Sequence, residues 1–490
     1  MRRNPCLYFK SIFFIPTSIG IVSLLFLSFF SALSSQSYSD SVMDDDRANR
    51  NFGRVVVGER IQKIPKASEN TGFGVQTELI SGGRFQSQKG GLDSEKANRH
   101  YTQGILTTPT LFYYAGQGWN LGFLLAPRVV LSEAQVVNKE VRTVYDSEAT
   151  ALLSKEISGI KVAFEVGRGF NRLDRYGFFF VGMANYGSVS ISHSSGFRIT
   201  GIQLNAKPEL ENWFGPPWSG YRREIYGGLI SSEKTLFWEE FRFFHYLYSD
   251  PNHNSNGQIL SGQRRSGRYS YSGMEFQSRK FWDTWAIDLV GIRLLGESKS
   301  SSNPWSEEKI ATNSYLGYLS LHSQGEKFSF ALAGLVTKKD TKDRLDSNSN
   351  GYASNFAEPR VLGGYSSFLL YQSLDLVYPP QFRDVPSKDI PNFENKGNRM
   401  FGIQMGWDWF PFFRTDLFFN RSDSLLGKGN EVIGKLSFST NDYGKLFAQL
   451  SASYTLMDPN KTRVWITEPF TESEPKKEYI RFYISLGVQF

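Results

Sequence analysis

The sequence predicts an all-β fold: a transmembrane antiparallel up-and-down β-barrel of about 16–18 strands, allowing roughly 10 residues per strand and similar loops. Three observations carry this reading. Apolar and polar residues alternate in segment after segment. No long apolar run occurs after residue 34 of the 490. Aromatics reach 15% although mean hydropathy is only −0.35. A spanning helix needs about 20 mostly apolar residues, whereas a spanning strand needs only alternate ones to be apolar. The aromatic load excludes a disordered chain, and a single cysteine excludes a disulfide scaffold or a Cys-ligated zinc protein.

The N-terminus reads as an export signal. Arg2, Arg3 and Lys10 precede an apolar stretch from Gly20 to Phe30, and Ala32-Leu33-Ser34 supplies small residues for cleavage. Residues 1–34 are therefore expected to be a signal peptide, 35–50 an exposed linker, and 51–490 the barrel. Cys6 lies before the apolar stretch, so the exported chain has no cysteine. Losing three cations lowers the formal charge from +7 to about +4, too mild to point to nucleic acid.

Residues 131–157 are rich in Ala, Glu, Leu and Lys and favour a helical insertion by residue type. Most other segments alternate. Val162, Phe164 and Val166 interleave with Lys161, Ala163, Glu165 and Gly167. Phe328, Phe330, Leu332 and Val336 share one face. So do Phe401, Ile403, Met405, Trp407 and Trp409, and likewise Leu446, Ala448, Leu450, Tyr454 and Leu456. A period of two gives one apolar and one polar face. In hydrocarbon every backbone N–H and C=O needs an internal partner, so two-faced strands must close into a ring. Short connections near 324–326, 410–412 and 441–444 alternate with long polar ones at 206–221, 249–266, 295–312, 338–359 and 458–477. That matches short periplasmic turns and long outer loops. Counting back from the C-terminus, parity fails once between 360 and 398; a short strand within 373–383 is one remedy.

The last twelve residues, Tyr479 to Phe490, alternate throughout. This tail resembles the closing strand of bacterial outer-membrane β-barrels, which ends in an aromatic residue read by the barrel-assembly machinery. The resemblance implies an outer-membrane location, outer-membrane lipid around the barrel, and Phe490 as the assembly signal. The size and aromatic strands also resemble the alginate-export type of porin, in architecture only.

By strand phase, Lys161, Glu165, Arg414, Asp416, Lys435, Lys445 and Arg481 point inward and are the candidate channel-lining residues. Such charges set ion selectivity by their local field, or pair with one another to stabilise the lumen. Glu240 and Arg242 share a face and look like an internal pair. The function expected is a passive outer-membrane channel for small hydrophilic solutes or oligosaccharide, with no cofactor and no metal. The scattered His100, His193, His245 and His322 have no partners at metal-ligand spacing. One alternative is an acyl hydrolase. Asn252-His253-Asn254-Ser255-Asn256-Gly257 resembles the N-H-x-S-N-G signature of outer-membrane phospholipase A, which implies Ser255 as nucleophile and His253 as its base. That family's orienting Asn has no counterpart; Gly267 stands in its place. A third reading is a plugged barrel whose long loops bind a surface ligand.

Overall fold

A computed structural model describes the strands between Gly72 and Gln489 and their side chains mainly from Thr150 onward. Residues 1–54 and, among other stretches, 207–222, 251–264, 301–308, 371–392, 440–444 and 465–470 lie outside the described residues. The expected signal peptide, the linker, Phe490 and the His253/Ser255 motif therefore fall outside them too.

The ring strands run in chain order. The first group is β1 (Leu79–Lys89), β2 (Asn98–Thr107), β3 (Trp119–Ala134), β4 (Val141–Ile157), β5 (Ile160–Arg172) and β6 (Val181–His193). Next come β7 (Phe197–Ala206), β8 (Arg223–Glu233), β9 (Trp238–Asp250), β10 (Arg265–Ser278), β11 (Trp285–Ser300) and β12 (Lys309–Gln324). The last are β13 (Phe328–Thr337), β14 (Arg399–Phe410), β15 (Phe413–Ser424), β16 (Gly427–Ser439), β17 (Lys445–Pro459) and β18 (Glu478–Gln489). Short strands Gly72–Gln76 and Thr110–Gly116 extend β1 and β2 downward, pairing with each other and, for the second, with β3.

Each strand pairs antiparallel with the next, and β18 pairs with β1 from Ile480↔Lys89 to Gln489↔Ile80, so the sheet closes on itself as eighteen strands among the described residues. Closure removes both sheet edges, the condition a bilayer imposes.

The side chains are arranged with apolar groups outward. On β5, Phe164 and Val166 are 51% and 63% exposed while Ala163 and Glu165 are 1% and 4% exposed. On β17, Leu456 is 45% exposed and Thr455 is fully buried. A water-soluble sandwich would reverse this pattern, because burying Glu and Thr while exposing Phe and Leu favours folding only when the surroundings are apolar.

The helical insertion expected over 131–157 does not form. That stretch supplies the end of β3 and all of β4, paired from Trp119↔Lys155 to Glu133↔Val141. Alternation overrides helix propensity here: Leu153 and Ile157 are exposed, while Thr150, Leu152 and Ser154 are buried. The β4–β5 turn is Ser158-Gly159, with φ of 51° and 81°, and Ile157 pairs with Ile160. That is the left-handed two-residue turn whose twist suits a tight hairpin.

The stretch 373–383, suggested as a short strand, lies outside the described residues, but β13 pairs directly with β14. No ring strand lies between β13 and β14 among the described residues. Residues 338–398 are one connection: Asn348–Ser349 add in parallel to the edge of β12, while the described residues 352–354 and 361–370 fold into the barrel. The longest connections, 207–222, 251–264, 338–398 and 460–477, leave one end of the ring, which the two-residue β15–β16 connection at 425–426 shares; the short connections 158–159, 194–196, 234–237, 325–327 and 411–412 leave the other.

Candidate solute pathway through the barrel

Two chain segments fill part of the lumen and meet to form a shelf. The first is the connection 173–180 between β5 and β6. The Leu173 amide donates to the Phe180 carbonyl at 3.1 Å and closes it as a compact turn. Inside the turn, the Asp174 carboxylate accepts from the amides of Phe178, Phe179 and Phe180 at 2.5, 2.9 and 3.0 Å. Burial pushes the Asp174 carboxyl above its ordinary value; the three amides and Arg172 pull it back only in part. With its amides satisfied, the turn can bury Phe178, Phe179 and Phe180 completely. The Phe179 ring lies 4.3 Å from Tyr271 and 5.4 Å from Tyr246, and Phe178 lies 5.8 Å from Tyr318. These tyrosines belong to β9, β10 and β12, so the turn lies flat against that wall.

The second segment comes from the β13–β14 connection. Its two short strands, Tyr352–Ser354 and Phe393–Asn395, pair antiparallel, and the first of them touches the 173–180 turn. The Tyr352 hydroxyl donates to the Phe178 carbonyl at 3.1 Å, and Ser354 Oγ donates to the Phe179 carbonyl. Residues 361–370 then rest on β14–β18. There Glu431 of β16 accepts from Ser367 Oγ at 2.6 Å, the Phe368 amide at 2.6 Å, Asn420 at 3.1 Å and Thr455 at 2.9 Å. Phe368 stacks on Tyr479 at 3.9 Å, and Asn398 donates to the Leu369 carbonyl at 3.0 Å. Wall glycines permit the approach: a Cβ on Gly402 would meet Leu362 at 2.4 Å, and one on Gly429 would meet Leu369 at 2.5 Å. The shelf thus reaches from the β9–β12 wall to the β14–β18 wall.

Nearer the short-turn end, the lumen carries charges of both signs. Arg175 Nη1 lies 2.6 Å from Glu240, and Arg242 contacts Glu240 directly and Glu275 at 3.8 Å. His322 Nδ1 lies 3.3 Å from Asp288. Across the bore, Arg414 bridges Asp416 at 2.8 Å and Asp408 at 3.1 Å. Lys435 lies over the Phe418 ring at 4.9 Å. Such pairs hold their side chains in place; Arg175, Glu240, Arg414 and Asp408 stay partly accessible in the bore, whereas Arg242, Glu275, Asp288 and His322 are buried.

The sequence-predicted residues divide among these roles. Arg414 and Asp416 come together as a pair, and so do Glu240 and Arg242. Glu165 is buried and accepts from the Tyr186 hydroxyl, so it supports the wall. Lys435 is buried on the inward face, and Lys161 is half-buried on the inward phase of β5. The side chains of Lys445 and Arg481 lie outside the described residues. Among the described side chains the histidines do not converge: His193 contacts Ser195 in a turn, His245 contacts Ser272 on the outer face, and His322 faces the lumen; the His100 side chain lies outside the described residues. Sequence reasoning missed Asp174, Glu431 and the whole shelf. A signal was present: Phe178-Phe179-Phe180 and Phe368-Leu369-Leu370 are apolar runs without alternation, placed where parity demands polar outer loops.

No family profile matches the sequence, and no curated protein does. Solved structures do. OccK1 (OpdK) of Pseudomonas aeruginosa aligns with a TM-score of 0.50 at 10% identity, covering 84% of this chain and 99% of that one. OpdK with vanillate gives the same values. OccK2 (OpdF) of the same organism, in complex with glucuronate, aligns with a TM-score of 0.50 at 11% identity, covering 85% of this chain and 98% of that one. At this identity the likeness is one of fold: the chain folds as these outer-membrane barrels do, over nearly their full length.

Proposed function

We propose that the protein is an outer-membrane channel that admits small hydrophilic solutes by passive diffusion, without cofactor or energy coupling. The observation that carries this reading is a closed ring, apolar outside, whose lumen is narrowed by a hydrogen-bonded shelf above a band of mixed charge. A wide general pore needs no shelf. A shelf held by a buried carboxylate at each end suits selection among small solutes and disfavours oligosaccharide. The barrels of similar fold have been seen with vanillate and with glucuronate, both small hydrophilic carboxylates. The mixed-sign band here gives an anion places to rest without committing the bore to one charge. In this reading residues 1–34 direct export, outer-membrane lipid surrounds the ring, and the assembly machinery reads Phe490.

Planar-bilayer conductance of the purified protein is the test. Small, discrete, ion-selective steps are expected, and no conductance in any salt would remove the reading. In that event the shelf would favour a plugged barrel whose long loops capture a surface ligand.

A further inference from the structure

We propose that the outer face of β11–β16 binds a phosphate-bearing glycolipid of the leaflet at the long-loop end, chemically of the lipid A type. An acyl chain would lie in a glycine-floored groove, and phosphates would meet Arg399, Arg421 and Lys428. The inference needs the barrel to sit in a bilayer and is independent of whether the bore conducts.

The groove follows from register. Gly291, Gly317, Val336, Arg399, Asp423 and Lys428 pair in turn across β11 to β16 and form one outward row. The row beside it contains Leu319, Gly334, Phe401 and Arg421. Gly317 and Gly334 leave this part of the wall without side chains, and Gly291 lies beside them in the outward row of Gly317, just outside the hollow they floor. The result is a surface cavity of about 650 Å³. Leu319, Val336 and Phe401, all exposed, form its apolar sides.

Strands in a barrel tilt, so a row that starts in mid-bilayer on β11 climbs as it crosses to β16. Each residue rises roughly 2.5 Å along the axis, from a 3.3 Å spacing and a tilt of about 40°. Arg399 lies about eleven residues above Phe410, hence roughly 27 Å up, at the far edge of a ~25 Å apolar band. The low edge of that band is marked by exposed Trp407, Trp409, Phe410 and Phe412, an aromatic girdle. At the high edge, Arg399, Arg421, Asp423 and Lys428 are all exposed. Asp423 stands opposite both Arg399 and Lys428, and exposed Asp458 of β17 stands opposite Lys428 on its other side, so two acids face three cations and one net positive charge remains. An apolar trough that rises into surplus cations complements a molecule with chains at one end and phosphates at the other. Arginine also matches phosphate oxygens bidentately. A second copy of this chain would have to bring acids to that edge and ridges to the trough.

The test uses the full-length protein in detergent, titrated with bisphosphorylated, monophosphorylated and dephosphorylated lipid A and read by native mass spectrometry. The wild type should retain the bisphosphorylated form about tenfold or more over the dephosphorylated one. The double substitution Arg399→Gln/Arg421→Gln should bring that preference down to about twofold, and Arg399→Lys/Arg421→Lys, which keeps the charge and loses the bidentate fork, should leave it between the two. Gly317→Leu, which fills the trough, should weaken retention of all three. Heat-modifiable gel mobility checks that each variant is folded. Equal retention of the three lipids by wild type, or an undiminished preference in the Gln variant, would overturn the proposal. So would a species containing two or three copies of the chain and no lipid. Conductance recorded on the same samples reports on the channel separately.

Discussion

The two ends of the shelf are held by buried carboxylates used in opposite ways. Asp174 belongs to the inward turn and binds that turn's own amides, so the unit is organised within eight residues of sequence. Glu431 belongs to the wall and reaches into a segment more than sixty residues away. The first anchor shapes an element that aromatic packing then presses onto the wall. The second is itself the attachment. A local carboxylate survives slight movement of the wall; a wall carboxylate fails as soon as its strand shifts.

That contrast can be broken most severely at Glu431. Glu431→Ala leaves the Ser367 and Thr455 hydroxyls and the Phe368 N–H without this acceptor, at about 1–3 kcal/mol for each group left unpaired, while Asn420 keeps its bond to the Leu362 carbonyl. Residues 361–370 should detach, single-channel conductance should rise severalfold, and heat-modifiable mobility should show the ring intact. Conductance equal to wild type would mean that this segment does not limit the bore.

Asp174→Ala should act less strongly. It orphans three amides, yet Phe178–Phe180 keep their packing on Tyr246, Tyr271 and Tyr318. A smaller rise in conductance is expected, with noisier open states; an increase larger than that of Glu431→Ala would reverse the ranking. Gly402→Val comes next. Its side chain would collide with Leu362 and Asn420, an overpacking that costs roughly 1–3 kcal/mol and lifts the shelf without removing a hydrogen bond. Protease accessibility of the 338–398 connection should increase, and unchanged cleavage would argue against the close approach.

The smallest effect is that of pH. The Asp174 carboxyl is raised above 3.8 in the folded turn, chiefly by burial. A group raised on folding contributes stability that is fully present below its unfolded value and is lost as pH rises through the folded one. The turn should therefore be tightest in acid. Conductance should creep upward from acid to neutral pH, and Asp174→Asn should flatten that slope. A slope of the same size in the variant would assign it to other groups.

The alternation at Val162–Val166, Phe328–Val336 and Leu446–Leu456 was sufficient to read two-faced barrel strands, because each strand reports its two environments residue by residue. The Arg414/Asp416 and Glu240/Arg242 pairs were legible for the same reason, being two apart on one strand. Residues 131–157 misled because Ala, Glu, Leu and Lys favour a helix intrinsically, and the partners on β3 and β5 that decide otherwise lie elsewhere in the chain. The shelf was illegible for a different reason. Asp174 and Glu431 are unremarkable in sequence; their roles arise from donors that only the folded chain brings to them.

Local periodicity thus settled by itself that this chain makes two-faced strands, and hydrocarbon's lack of hydrogen-bonding partners settled that they must form a ring. How far that ring is open was decided by tertiary structure alone. It depends on where one long connection turns inward, and on which buried carboxylates meet its amides and hydroxyls across large separations in sequence.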